Sequence, residues 1–104
     1  MKLLKIVIII LGFVQVTNAL AYASSNKAEE AAINASIQVA QQYSHLICNA
    51  EGASFMGKAG NVYKYLVDIR CNDLSARYSV EVKAVYDGSN IVYHASTPIP
   101  APQD

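Results

Sequence analysis

Two cysteines, two histidines and a scatter of carboxylates are the side chains through which this 104-residue chain could do chemistry. Ser44 and His45 are adjacent on a helical stretch, so their side chains diverge and form no nucleophile–base pair. His94 falls on the outward positions of a strand pattern, beside neither a nucleophile nor an acid. Asp68 and Glu81 read as cross-strand partners of basic residues rather than as an acid–base couple. The chain has no glycine-rich phosphate loop, no zinc spacing around His45 or His94, and no Gly-x-Ser-x-Gly turn. These patterns point away from an enzyme, and they imply neither a metal nor a cofactor. An effector or enzyme using His94 with a tyrosine or carboxylate is kept as the alternative.

Cys48 and Cys71 have a compartment to suit them. Met1 to Ala23 reads as a secretory signal peptide, with Lys2 and Lys5 as its basic start and Ile6 to about Val16 as its apolar stretch. The small-residue sites Ala19-Leu20-Ala21 and Ala21-Tyr22-Ala23 follow, and cleavage is expected after Ala23. The apolar run is shorter than the ~20 residues that span a bilayer, which argues against an anchor helix. Export, to a periplasm or to the outside, makes an intramolecular Cys48–Cys71 disulfide the simplest use of a lone cysteine pair. Without the signal, six basic and eight acidic residues leave a net charge of −2 with no block of like sign. That balance gives no electrostatic case for nucleic acid or for an anionic membrane.

The rest of the chain reads as one α+β domain over residues 24–96, with a proline-rich extended tail at 97–104. Lys27 to Ile47 has the period of an amphipathic helix. Its apolar face collects Ala28, Ala32, Ile33, Ala35, Ile37, Val39, Ala40, Tyr43, Leu46 and Ile47; Glu30, Asn34, Gln38, Gln41, Gln42 and His45 lie opposite. Asn26 and Glu29 form a capping-box-like start. Asn34-Ala35-Ser36 is a glycosylation acceptor of use only in a eukaryotic host, and the compact signal looks bacterial.

After Cys48 the period becomes two. Tyr63, Tyr65, Val67, Ile69 and Cys71 point inward, as do Tyr78, Val80, Val82, Ala84 and Tyr86, then Ile91, Tyr93 and Ala95. Ala50 to Met56 is the weakest strand, with Gly52 a candidate bulge. A hairpin folded about Gly57–Gly60 would bring Cys48 opposite Cys71, although an inward Cys48 then turns Phe55 outward unless a bulge intervenes. The next hairpin has two registers: a two-residue turn at Asn72-Asp73 pairs Asp68 with Arg77 and Lys64 with Glu81, while a four-residue loop pairs Val62 with Val85 and Lys64 with Lys83. A turn at Gly88-Ser89 sets Val85 against Val92 and Lys83 against His94. Pro98, Pro100 and Pro102 bar the tail from a central strand and favour a frayed extended terminus, with a docking peptide as the second reading.

One helix followed by a four-stranded antiparallel meander resembles the cystatin-like arrangement, by topology only. The Gln-x-Val-x-Gly hairpin of the inhibitory cystatins is absent, so their mechanism is not carried over. The expected function is therefore a small exported protein-binding module: an inhibitor, an immunity-type protein or an accessory of an envelope assembly. Its surface would be the outer sheet face at Val62, Leu66, Val85 and Val92, edged by Lys64, Lys83 and His94. Another subunit or the tail would be the bland covering for those side chains. A carrier using space beneath the alanine-rich helix is the third reading.

Overall fold

A computed structural model describes residues 25–103, so residues 1–23, where a signal peptide is expected, lie outside the described residues. The element order is α1 (Ser25–Ser44), β1 (Asn49–Ala59), β2 (Val62–Cys71), β3 (Leu74–Asp87), β4 (Asn90–Ala95) and β5 (Ile99–Pro100). The strands form one antiparallel sheet ordered β1-β2-β3-β4, and α1 lies on one face of it, mainly across β2 and β3. We call that face inner and the opposite face outer.

The helix meets the sheet along a line of small residues four apart. Ala28, Ala32, Ser36 and Ala40 are all buried, because a four-residue step keeps side chains on one helix face and short ones let the helix approach closely. Ser36 is the member of this line that the apolar pattern overlooked. Its hydroxyl donates to the Ala32 carbonyl at 2.8 Å, which removes the cost of burying it. Beneath lie Tyr63, Tyr65, Val67, Ile69, Tyr78, Val80, Val82 and Ala84, the inward positions of the period-two pattern.

The helix starts at Ser25, so Asn26 lies inside the first turn rather than capping it. It also stops earlier than its apolar period suggests. His45 takes the left-handed conformation (φ 59°) and its N–H donates to the Gln41 carbonyl, ending the helix at Ser44. The Ser44 hydroxyl accepts the Leu46 N–H, and the Gln41 side chain accepts the Cys48 N–H. Past this turn Ile47 leaves the helical face and is exposed, as is Tyr43, which overhangs the end of the sheet; Leu46 alone of the three still packs on the core.

The first hairpin turns tightly at Gly60-Asn61, with Ala59 opposite Val62, rather than in a loop centred near Gly57–Gly60. Glu51 and Met56 are extra residues in β1, each shifting the register by one. Continued without them, that register would set Ala50 opposite Cys71. With them, Asn49 pairs with Arg70 and Cys48 arrives at Cys71, where the disulfide forms with Cα atoms 4.2 Å apart. The bulges also keep Phe55 on the inner side, opposite Tyr65.

Between β2 and β3 the two-residue turn at Asn72-Asp73 is the one adopted, and Asn72 carries its positive φ of 58°. Asparagine tolerates that conformation better than most non-glycine residues. The Gly88-Ser89 turn pairs Val85 with Val92 and Lys83 with His94.

The tail is not frayed. After a one-residue shift at Thr97-Pro98 the chain runs on beside β3, with Ile99 opposite Ser79 and Pro100 opposite Tyr78. At the shift the Ser96 hydroxyl takes the Glu81 N–H that a ladder carbonyl would otherwise accept. Ala101 N–H then donates to Arg77 O at 2.8 Å, and the Gln103 side chain to Ser75 O. Prolines fit here because their alternation turns every missing N–H away from β3 while Ile99 and Ala101 face it.

Candidate functional site

The alternation of β2, β3 and β4 brings the expected binding residues to the outer face in cross-strand rows. Val62, Lys83 and His94 form one row and Val85 pairs with Val92 beyond it, diagonal to Val62. All three valines and Leu66 are half-buried among their neighbours, while Lys64, Lys83 and His94 are exposed. Leu66 stands apart from the valines. The row between them is Lys64–Glu81, an ion pair at 3.6 Å, so Lys64 lies within the patch and not at its edge.

Leu66 has a different neighbour, which the sequence pattern did not supply. It pairs with Ser79, and Ser79 pairs on its other side with Ile99 of β5. Ile99 is 65% exposed. The signal was available, since Ile99 occupies the non-proline position of a Pro-x-Pro alternation, but a strand assignment for the tail was needed to use it. The tail therefore extends this face at its edge and does not cover it.

Below Leu66 the face is ionic again. Arg77 grips Asp68 through two donors, at 2.7 and 3.5 Å, and also reaches the Pro102 carbonyl. Arg70 donates to Glu51 at 2.9 Å across the first hairpin. The charges of the face are thus largely matched within it, leaving Lys83 beside His94 as its basic corner.

Among the described residues, open clefts lie on the inner side at either end of the helix contact. One, of about 220 Å³, is lined by Glu29, Ala53, Phe55 and Tyr65. The other, of about 290 Å³, is lined by residues including Ala40, Tyr43, Leu74 and Tyr78 beside Cys71. Burial raises the Tyr65 phenol above its ordinary pKa, helped by the Glu29 charge and by Tyr63. Burial does the same for Tyr78, with a smaller contribution from Tyr43. Neither cleft contains a histidine. Between them Ala28 and Ala32 are fully buried against the sheet, where the carrier reading required open space. Among the described residues no three His, Cys, Asp or Glu side chains gather as metal ligands, and no helix is long and apolar enough to cross a membrane.

Comparison of the chain with family models, with curated proteins and with solved structures finds no match.

Proposed function

We propose that this is a small exported protein that works by binding another protein through its outer sheet face, without catalysis. The observation that carries the reading is the pair of aliphatic groups on that face: Val62, Val85 and Val92 on one side of the Lys64–Glu81 row, Leu66 with exposed Ile99 on the other. Such a surface supplies apolar anchors, and its internally matched charges impose little repulsion on a partner. Export to a periplasm or to the outside is supported by the basic-apolar-small pattern of residues 1–23 and by the disulfide. The roles this fits are inhibition, immunity or assembly, and a second copy of the chain is one candidate partner.

A photoreactive side chain placed in turn at Val85, Leu66 and Gln38 tests the reading in the producing cell. Discrete cross-linked products from Val85 and Leu66, and none from the helix position Gln38, support it. Products from Gln38 alone place the working surface on the helix and overturn it.

A further inference from the structure

The two edges of the sheet are unlike. Opposite β1 the edge strand is β4, continued along β3 by β5, where Pro100 leaves no outward N–H and so blocks the addition of another strand at that end. The β1 edge, Asn49–Ala59, contains no proline, and no described strand pairs with its free side. Its bulges leave a regular stretch from Gly52 to Phe55, aligned residue for residue with Asp68 to Tyr65. Four residues of ladder are therefore open to an incoming extended segment.

The cleft beside that stretch has a definite chemistry. Phe55, 56% exposed, lies with its ring centroid 5.6 Å from that of Tyr65 and 6.4 Å from that of Tyr63. Phe55 is the exposed ring of the cleft, backed by the edge of buried Tyr65, and Glu29 and Ala53 complete its lining. Aromatic faces attract cations, as the neighbouring Tyr63 does with Lys58 Nζ, 5.1 Å from its centroid. The neighbouring position, against Phe55 and Tyr65, adds a carboxylate whose charge is felt by the Tyr65 phenol. At about 220 Å³ the cleft is smaller than the roughly 300–1,000 Å³ of typical small-molecule sites, and suits one long side chain.

We propose that the Glu29–Phe55–Tyr65 cleft is a binding site for the arginine or lysine side chain of an extended basic segment that adds to the open edge of β1. The segment's backbone takes the free ladder positions of Gly52 to Phe55, and alternate side chains fall on the inner side, where the cleft lies. This site is on the opposite face from the aliphatic patch and does not depend on it.

The test is a titration of the protein with a blocked pentapeptide of alternating threonine and valine carrying one central arginine. Its citrulline analogue has the same shape without the charge. The arginine peptide should bind at least tenfold tighter than the citrulline one and than arginine amide. Glu29→Gln should weaken it at least fivefold and Phe55→Leu about threefold, while the exposed helix neighbour Glu30→Gln changes it less than twofold. Equal loss with Glu29→Gln and Glu30→Gln would mean diffuse attraction and overturns the proposal. Equal binding of the two peptides, binding no tighter than arginine amide, or no peptide binding at all also overturns it. Should Phe55→Leu unfold the protein, the glutamate pair still decides, since neither half-buried Glu29 nor exposed Glu30 belongs to the core.

Discussion

Leu66 and Ile99 stand in one outer-face row, separated only by Ser79, which pairs with both. Two strand spacings put them about 9.6 Å apart, with the smallest side chain of the row between them. The result is a notch with aliphatic walls, one of them supplied by the proline-rich tail. One wall belongs to the interior strand β2 and the other to the tail, so the notch exists only while β5 is docked.

Docking of the tail should therefore be measurable as stability. A chain ending at Ser96 loses the Ile99 and Pro100 pairing, the Ala101 bond to Arg77 and the Gln103 bond to Ser75. At roughly 0.5–1.5 kcal/mol net per hydrogen bond, urea denaturation should show a loss of about 2 kcal/mol. An unchanged midpoint would mean that the tail is frayed after all.

The disulfide closes a separation of 23 residues between α1 and the end of β2. Chain-entropy arguments give about 3 kcal/mol for a loop of that size. Replacing both Cys48 and Cys71 with alanine should lower the unfolding free energy by that order, and alkylation of the native protein should find no free thiol. Two alkylated cysteines would rule the bond out.

Ion pairs on one face need not be equivalent. Arg77 and Asp68 are held by two hydrogen bonds and are partly shielded, whereas Lys64 and Glu81 are about half exposed and 3.6 Å apart. Arg77→Ala should cost about 1 kcal/mol, and Lys64→Ala less than about 0.5 kcal/mol. A double-mutant cycle of each pair gives the comparison, and a larger coupling for Lys64–Glu81 would contradict it.

Alkaline pH should unfold the protein through its buried phenols. Tyr65 and Tyr78 hold their protons more tightly when folded than the ordinary phenol value of 10.0. The unfolded chain therefore releases protons first, and the stability these groups contribute is fully present below pH 10 and lost as pH rises through the folded values. Melting temperatures from pH 7 to 11 should fall above pH 10, and Tyr65→Phe should reduce the slope. A flat profile with all tyrosines ionised in the folded state would refute it.

What was legible in the chain follows from where one physical signal acted alone. Along β2 and β3, burial on one face imposes strict alternation, so inward residues such as Tyr63, Val67 and Val80 could be read directly. Where two signals compete, reading fails. Leu46 and Ile47 continue the apolar period past Ser44, and nothing in that period announces that His45 will turn left-handed. In β1 the bulges at Glu51 and Met56 break the alternation, so the strand looked weak although the cysteine alignment was correct. For Pro98 to Pro102 the missing donors exclude a central strand and favour a frayed terminus, but at an edge they face away from the partner strand and the tail pairs. The candidate surface inherits these limits: Val85 opposite Val92 follows from the Gly88 turn, while the part played by Ile99 depended on the tail.

Binding through the outer face is tested most directly by introducing a charge where the apolar anchors are. Leu66→Asp and Val85→Asp should each abolish capture of the partner that the unaltered protein draws from its own envelope or secretome. Because both side chains lie on the face away from α1, their melting temperatures should stay close to that of the unaltered protein. Variants that melt early would show that these residues belong to a core and that the sheet faces the other way. Variants that fold and still capture the partner would contradict the account.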